Sequence, residues 1–235
     1  MFDIGQVTGV ILAGGLGTRL RKAIPDRPKV MAEVNGRPFI TYLLDQFDKA
    51  GMNQIVLCTG YLASFIEKEI GYSYKSIKIV YSEEKTPFGT AGALINALPH
   101  LNTKLFLVMN GDSIIDCSLN KFILWHINKQ SLVTLVLTHV NNVSRYGKII
   151  VDDKDEVQSF TEKGFGSGPG WINAGIYLFT NTAFDFLPKK IPASLEEELF
   201  PSLIGKGLYG YRCEGEFIDI GTPESYSLAA DIIKT

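Results

Sequence analysis

A glycine-rich run near the N-terminus ends in a basic residue and could bind phosphate groups. After an apolar segment, the chain reads Leu12-Ala13-Gly14-Gly15-Leu16-Gly17-Thr18-Arg19. Glycines let backbone N–H groups approach phosphate oxygens closely, and the Arg19 guanidinium would add positive charge. A tight strand-to-helix turn uses glycines in the same way, so the run alone leaves both interpretations open. Leu20 replaces the third glycine of a dinucleotide fingerprint, and no Gly-Lys-Ser/Thr of a P-loop follows.

Two aspartates and a lysine stand beside further predicted turns and could hold a metal ion and a phosphate. Asp112 follows a predicted strand within Asn110-Gly111-Asp112, and Asp219 follows another. Carboxylate oxygens suit Mg²⁺, which retains waters and also accepts substrate phosphates as ligands. Lys29 comes directly after Pro28, whose ring stiffens the chain before the charge. Solvated turn aspartates and a surface lysine would use the same residue types, so further evidence must decide.

Strand and helix patterns alternate along the first half of the chain and would bring these residues to one edge of a sheet. Apolar runs predict strands at 7–13, 55–58, 77–81 and 105–109, and helical spacing predicts helices at 39–47, 63–70 and 90–98. Gly51 is placed to end the first helix. Repeated β-α-β units require a mostly parallel sheet with helices on both faces. Chemistry is then expected at the carboxyl ends of the strands.

The second half is less regular, but no linker, repeat or low-complexity segment separates it from the first. Strands are predicted at 132–140, 148–151, 157–161 and 172–179, and helices at 118–129, 196–204 and 223–233. We therefore predict one α/β domain over residues 1–235, built around a mixed sheet.

Composition restricts the classes of function. The chain has 235 residues, with 23 Lys+Arg against 25 Asp+Glu, so bulk charge gives no reason to expect nucleic-acid binding. No segment approaches the roughly 18 apolar residues of a membrane span, and the N-terminus lacks the pattern of a signal peptide. Three cysteines without C-x-x-C spacing and three scattered histidines favour reduced thiols over a disulfide framework or a zinc site. We expect a cytoplasmic protein.

Six further segments, in this order after the glycine run, resemble the sugar-phosphate nucleotidyltransferases. They are Arg27-Pro28-Lys29-Val30-Met31, Gly89-Thr90-Ala91-Gly92-Ala93, Asn110-Gly111-Asp112, Glu162-Lys163-Gly164, Asn173-Ala174-Gly175-Ile176-Tyr177 and Phe217-Ile218-Asp219-Ile220-Gly221-Thr222-Pro223. The resemblance covers nearly the whole chain, and the pattern L-A-G-G-x-G-T-R-L is highly specific. It implies a single Rossmann-like domain with a mixed, mostly parallel central sheet flanked by helices.

The resemblance also implies a reaction and a set of site residues. A nucleoside triphosphate would react with a sugar 1-phosphate to give a nucleotide-sugar and pyrophosphate. Arg19, Lys29 and Asp112 would be catalytic, and Asp112 and Asp219 would hold Mg²⁺. The nucleotide would contact Leu12, Ala13, Gly14, Gly15, Gly17, Thr18, Arg19, Glu84, Gly89, Thr90, Ala91 and Asp112, and the sugar phosphate would contact Lys29, Gly147, Glu162, Lys163 and Asn173. A homo-oligomer is compatible with the resemblance.

The identity of the base is predicted from Glu84, which precedes the Gly89 segment on the loop after the third strand. A carboxylate offers two acceptor oxygens to the two adjacent donors of guanine, whereas uracil and thymine would present carbonyl oxygens to it. The neighbouring Glu83 is an alternative for this role. Within the family, residues 84–92 and 217–226 are most similar to guanylyltransferases that act on D-glycero-α-D-manno-heptose 1-phosphate, followed by those that act on mannose 1-phosphate. The product would be a GDP-sugar for surface glycan synthesis.

Two departures and two other functions remain to be weighed. Val30 replaces the proline that usually follows the family's lysine, and we expect no C-terminal β-helix domain, which longer members carry. A thymidylyl-, uridylyl- or cytidylyltransferase acting on glucose 1-phosphate is the alternative enzyme, and a regulatory subunit that binds nucleotide-sugar is the alternative without catalysis. The intact set Arg19, Lys29, Asp112 and Asp219 favours the enzyme.

Overall fold

Strands and helices alternate along the first half of the chain, as the apolar patterns predict. The computed structural model describes residues 2–21, 23–161, 164 and 166–233. In chain order the strands are β1 (Val7–Leu12), β2 (Glu33–Val34), β3 (Arg37–Pro38), β4 (Gln54–Thr59), β5 (Ser73–Tyr74), β6 (Ile77–Glu83), β7 (Leu105–Asn110), β8 (Ser113–Ile115), β9 (Val133–Val140), β10 (Ile149–Val151), β11 (Val157–Phe160), β12 (Gly170–Thr180), β13 (Leu208–Cys213) and β14 (Phe217–Asp219). The α-helices are α1 (Phe39–Ala50), α2 (Ala63–Ile70), α3 (Gly89–Ala97), α4 (Leu119–Lys129), α5 (Phe200–Ser202) and α6 (Pro223–Ile232). No helix within the described residues has the length and apolar character needed to cross a membrane.

The central sheet has eight strands in the order β13-β9-β12-β7-β1-β4-β6-β5. Strand β1 pairs in parallel with both β4 and β7, and the pairs β4–β6 and β9–β13 are also parallel. Strand β12 runs antiparallel between β7 and β9, and the short β5 is antiparallel to β6. The prediction of a mixed, mostly parallel sheet flanked by helices is confirmed.

Apolar side chains cover both faces of this sheet. In β1, Ile11 packs into one core layer and Val10 into the other, because successive side chains of a strand point to opposite faces. Helices α1, α4 and α6 contribute to the first layer, while α3 and α5 contribute to the second. Helix α1 ends at Gly51, which is left-handed at φ 85° as expected for a helix C-cap. The two layers therefore fix the positions of the strand ends, where the glycines and charged residues singled out in the sequence lie.

The segment predicted as a helix at 196–204 is different in the structure. Residues Leu195–Leu199 form a π-helical turn, and only Phe200–Ser202 is α-helical. Pro201 has no N–H to donate to the carbonyl of Glu197, so the α-helical pattern cannot run through this point. Instead, the N–H of Leu199 donates to the carbonyl of Ser194, five residues back. Strand β13, at one edge of the sheet, was not predicted.

Candidate active site

A cleft of about 350 Å³ lies at the carboxyl edge of the sheet, where β1 and β7 end. Most of the predicted nucleotide site lines it. The predicted residues that line it are Leu12, Ala13, Gly14, Gly15, Gly17, Thr18, Arg19, Lys29, Glu84, Gly89, Thr90 and Asp112. These residues meet at the cleft because the C-terminal ends of parallel strands lie at the same edge of the sheet.

The glycine-rich loop offers its backbone to the cleft. Within the described part of the chain, no protein group accepts a hydrogen bond from the backbone N–H groups of residues 14–19. Gly17 is left-handed at φ 59°, and its carbonyl accepts from the N–H of the buried Leu20, which anchors the end of the loop. Arg19 is exposed and forms no ion pair with any described residue. A loop of unpaired N–H groups beside a free guanidinium is suited to bind an anion.

Lys29 enters the cleft from a single 3-10 turn, Lys29–Met31, that is anchored by its apolar residues. Val30 and Met31 are buried, and Val30 approaches Gly111 so closely that a Cβ there would lie 2.7 Å from Val30 Cγ1. Nζ of Lys29 donates to Oδ2 of Asp112 at 2.6 Å, and the lysine side chain is only 11% exposed. The valine that replaces the family's proline therefore belongs to the core that holds the lysine in position.

A two-stranded antiparallel ribbon, β8–β14, brings the two predicted metal ligands together. Asp219 lies opposite Ser113, and the N–H of Ile220 donates to the carbonyl of Asp112 at 2.8 Å. This ribbon joins residues more than one hundred positions apart in the chain. It explains how two strand-end aspartates can serve one site.

Asp219 is held by partners on three sides. The Tyr146 hydroxyl donates to Oδ2 at 2.6 Å, the Arg145 guanidinium lies 3.3 Å from the same oxygen, and the N–H of Gly221 donates to Oδ1 at 2.9 Å. Burial and the neighbouring Asp219 carboxylate raise the pKa of Tyr146, so it remains a donor near neutral pH. Arg145 was not predicted from the sequence, although it lies two positions before the predicted Gly147.

The two carboxylates fit a Mg²⁺ site that is completed by substrate. The Asp112 side chain is 43% exposed and the Asp219 side chain 16%. Asp112 directly precedes β8 and Asp219 ends β14, so the two carboxylates could offer hard oxygen ligands from neighbouring positions of the ribbon. In the described residues, no group of three or more His, Cys, Asp or Glu side chains could hold a metal ion. Mg²⁺ is usually bound by one or two carboxylates plus waters and phosphates, which matches this donor set.

Glu84, rather than Glu83, lines the cleft. Oε2 of Glu84 accepts from the N–H of Phe88 at 3.1 Å, and burial raises the pKa of the carboxyl group. The side chain rests on two glycines: a Cβ on Gly14 would lie 2.6 Å from Oε1, and one on Gly60 would lie 2.9 Å from Cγ. Close packing against Glu84 therefore leaves no room for a side chain at position 14.

A buried tyrosine links the walls of the cleft. The Tyr177 hydroxyl donates to Oε1 of Glu196 at 3.1 Å and accepts from the side-chain amides of Asn173 at 2.8 Å and Asn110 at 3.1 Å. Oε2 of Glu196 in turn accepts from the Thr90 hydroxyl at 2.8 Å. Asn110 and Thr90 line the cleft, whereas the Asn173 side chain is engaged within the protein through Tyr177 and the N–H of Gly175. Sequence reasoning did not identify Glu196.

Several predicted residues do not line the cleft. Ala91 is fully buried in α3, and its N–H donates to the carbonyl of Ala193, so it cannot contact a nucleotide there. Gly147 is buried and left-handed at φ 80°, next to the tyrosine that binds Asp219. Glu162 and Lys163, predicted to meet the sugar phosphate, lie outside the described residues.

A comparison with known protein families identifies the family of this chain. Residues 8–235 match the family described as nucleotidyl transferase. The chain belongs to this family. The family predicted from the motifs is therefore confirmed, and members of this family generally use a divalent metal ion.

Individual relatives share most of the chain. The D-glycero-α-D-manno-heptose 1-phosphate guanylyltransferase of Aneurinibacillus thermoaerophilus is 36% identical over 221 residues, which cover 94% of this chain and 95% of the relative. The mannose-1-phosphate guanylyltransferase of Mycobacterium tuberculosis is 35% identical over 97% of this chain and 65% of the relative. The crystal structure of HddC from Yersinia pseudotuberculosis complexed with GMP-PN is 33% identical, with a TM-score of 0.83 over 97% of this chain and 99% of that one.

Proposed function

We propose that this protein is a Mg²⁺-dependent guanylyltransferase that joins GTP to D-glycero-α-D-manno-heptose 1-phosphate, releasing pyrophosphate. The single observation that carries the proposal is the cleft itself. It combines a loop of unpaired N–H groups, a free arginine and the Lys29–Asp112 pair at the ends of β1 and β7. The proposal is also supported by the family membership and by the similarity to a heptose 1-phosphate guanylyltransferase, which extends over 95% of that relative.

The reaction needs charge neutralisation and alignment rather than a protein nucleophile. An oxygen of the sugar phosphate is ionised near neutral pH and attacks the α-phosphorus of GTP. The bond from that phosphorus to the bridging oxygen of the β-phosphate breaks, and pyrophosphate leaves with the electron pair. Residues 14–19 would bind the triphosphate through their N–H groups, and Arg19 would follow the departing charge. Lys29 would bind the sugar phosphate.

Asp112 and Asp219 would hold Mg²⁺. When bound, the metal ion supplies Lewis-acid stabilisation of the charge on the phosphate oxygens. The chain's own part is to fix the two carboxylates, which the β8–β14 ribbon does through the pairing of Ser113 with Asp219. Arg145 and Tyr146 keep the Asp219 carboxylate oriented through their hydrogen bonds.

Guanine is the proposed base because of the position of Glu84. The residue lines the cleft, and Oε2 accepts only one protein N–H, from Phe88, among the described residues. A carboxylate oxygen has room for a further donor, and guanine provides two adjacent donors, N1–H and the exocyclic amine. The structure of HddC with GMP-PN, a protein 33% identical to this chain, supports the same choice.

The proposed sugar is chosen between two kinds of relative whose sequence identities to this chain are nearly equal. Identity to the heptose enzyme is 36% and to the mannose enzyme 35%, so mannose 1-phosphate is the second candidate. The segments at 84–92 and 217–226 favour heptose, because they are most similar to the enzymes that act on the heptose phosphate. Glu162, Lys163, Gly147 and Asn173 are proposed to surround the sugar, and a GDP-sugar product would serve surface glycan synthesis. We also propose that residues 1–235 act as one nucleotidyltransferase domain; a homo-oligomer is compatible with it.

The deciding experiment is pyrophosphate release over a matrix of triphosphates and sugar 1-phosphates with Mg²⁺. GTP, UTP, dTTP and CTP would each be combined with the heptose, mannose and glucose phosphates. The highest kcat/KM is expected for GTP with the heptose phosphate. A maximum with mannose 1-phosphate would select the second candidate, and a maximum with dTTP or UTP would overturn the guanine assignment. Binding without turnover of any pair would favour a regulatory subunit.

A further inference from the structure

Two cysteines that the proposed reaction does not use lie together at the base of the β8–β14 ribbon. Cys117 is buried just after β8, and Cys213 is half-buried at the end of β13. Both are free thiols, and they lie near enough for each to shift the pKa of the other. Sγ of Cys213 also lies 3.6 Å from the carbonyl oxygen of Asp116.

The backbone around these thiols is already in contact. The N–H of Asp116 donates to the carbonyl of Glu216 at 3.0 Å, and a Cβ on Gly215 would collide with the Asp116 carbonyl. These contacts continue directly into the ribbon, whose other end carries Asp112 and Asp219. A change of spacing at the two cysteines therefore acts on the segment that holds both proposed metal ligands.

The two thiols differ in the way that disulfide exchange requires. The hydrogen bond from the Cys117 thiol lowers the pKa of Cys213 to about 7, while the same contact and burial raise the pKa of Cys117. Cys213 is the more accessible of the two, so a dissolved disulfide meets it first. Thiolate character and access together determine which cysteine attacks, and the buried neighbour is then in place to resolve the product.

We propose that Cys117 and Cys213 form a site of reversible disulfide modification, made by exchange with a small disulfide such as oxidised glutathione, and that the cross-link slows the enzyme. The Cys213 thiolate attacks one sulfur of oxidised glutathione, which releases one glutathione thiolate and leaves a mixed disulfide. The Cys117 sulfur, after losing its proton, attacks Sγ of Cys213 and expels the second glutathione. Two protein thiols are oxidised, and one glutathione disulfide is reduced to two thiols.

The expected loss of activity follows from the short sulfur–sulfur distance in a disulfide. A disulfide holds its sulfur atoms about 2.05 Å apart, closer than two unbonded thiols can approach. The backbone of Gly215 is packed so closely on the Asp116 carbonyl that no Cβ would fit between them, and we expect the displacement to pass along the ribbon toward Asp112 and Asp219. This second part of the proposal rests on the proposed function, whereas the formation of the disulfide does not.

The test is a disulfide map of the whole protein after incubation with oxidised glutathione. Remaining thiols are blocked with N-ethylmaleimide, and the unreduced digest is analysed by mass spectrometry. We expect one cross-linked peptide pair, Cys117 with Cys213, that dithiothreitol removes. Cys213→Ser should abolish it, and Cys58→Ser, which changes the third cysteine, should leave it intact. A glutathione adduct that persists on Cys213, or a protein without any intramolecular disulfide, would overturn the site.

Turnover is then measured on the same samples. Wild-type protein with the cross-link should release pyrophosphate several-fold more slowly than the reduced form and recover with dithiothreitol, while Cys117→Ser should not respond to oxidised glutathione. Full turnover in a completely cross-linked sample would overturn the effect on activity and leave the modification site standing. A reduced wild-type protein without turnover on any substrate pair would count against the proposed function, and the disulfide map would still decide the site.

Discussion

Nζ of Lys29 lies 2.6 Å from Oδ2 of Asp112, so the cation proposed for the sugar phosphate is paired with a carboxylate proposed for the metal. Each group neutralises the other at the floor of the cleft. We expect Lys29 to exchange this carboxylate for a substrate phosphate during the reaction cycle. The pair thus keeps two opposite charges in place where the reaction will need both.

Replacing Asp112 by Asn should reduce turnover by about 10²–10³-fold with little effect on folding, because one charge-stabilising element is lost while side-chain size is kept. Pyrophosphate release at limiting Mg²⁺ and the unfolding midpoint would measure the two effects. Asp116→Asn is the matched control, since Asp116 is exposed at the far end of the same ribbon. Near wild-type turnover of Asp112→Asn at limiting Mg²⁺ would contradict the metal assignment.

Arg19 and Lys163 should affect different kinetic constants. Alanine at Arg19 should mainly lower kcat, since the group it binds gains charge during the reaction; alanine at Lys163 should mainly raise the KM for the sugar phosphate. Arg212→Ala is the control for loss of an arginine, because the Arg212 guanidinium pairs with Asp155 at 3.4 Å and does not line the cleft. Steady-state kinetics that give the opposite pattern would exchange the two roles.

Glu84→Gln should sharply lower kcat/KM for GTP and narrow its advantage over UTP and dTTP. An amide replaces one acceptor oxygen by a donor that faces the donors of guanine, and charge-assisted hydrogen bonds contribute roughly 1.5–3 kcal/mol each. Glu83→Gln is the matched control, because Glu83 is exposed and does not line the cleft. Equal kcat/KM for GTP in wild type and Glu84→Gln would return the thymidylyl or uridylyl alternative to first place.

Tyr177→Phe should raise KM several-fold and lower the free energy of unfolding by about 1–3 kcal/mol, because buried amide donors lose their acceptor. Only the hydroxyl that orients Asn110 and Glu196 is removed. Tyr81→Phe removes a comparable hydroxyl, which donates to the Gly71 carbonyl at 2.6 Å away from the cleft. Denaturant unfolding should show a lower free energy of unfolding in both variants, whereas KM should rise only in Tyr177→Phe. A change of KM in both variants, or in neither, would argue against a positioning role for Tyr177.

His126 should make the protein sensitive to acid. The side chain is buried in α4 with Nδ1 2.7 Å from Oγ1 of Thr134, and burial lowers its pKa from 6.5 to about 4. Between these values the unfolded chain binds the proton and the folded chain does not, so stability is complete above pH 6.5 and is lost as pH falls toward 4. The loss should reach about 3 kcal/mol near pH 4.

Denaturant unfolding of wild type and His126→Gln across this pH range measures that contribution. The variant should lose less stability than wild type on acidification. His139→Gln is the control, because His139 is exposed and should leave the profile unchanged. Parallel profiles for wild type and His126→Gln would show that acid acts through other groups.

The first half of the fold could be predicted because its signals are local. The parallel strands β1, β4 and β7 are buried on both faces and therefore read as apolar runs, and α1 shows its helical spacing together with Gly51. The β8–β14 ribbon could not be predicted in this way. Its strands have three residues each, and it exists only because residues 113–115 meet residues 217–219.

The candidate site divides along similar lines. Residues in the glycine run and at strand ends were predicted because the residue type itself carries the chemistry. Ala91 was placed in the site by its neighbours in the sequence, but on a helix adjacent residues face different directions, and Ala91 faces the core. Glu196 contacts Thr90 and Tyr177 from a π-helical turn. The spacing of apolar residues in the sequence does not predict such a turn, so Glu196 was not identified.

The ribbon has a consequence for how the protein can be divided. Residues 2–130 contain Asp112, and residues 131–233 contain Asp219, so neither part holds both proposed metal ligands. The two parts meet in the central sheet where β7 pairs with β12, and Gln130, left-handed at φ 53°, lies on the loop between them. A protein split at this loop would regain pyrophosphate release only when the two fragments associate again through the β7–β12 pairing. Its turnover would therefore serve as a reporter of association between two partners fused to the fragments.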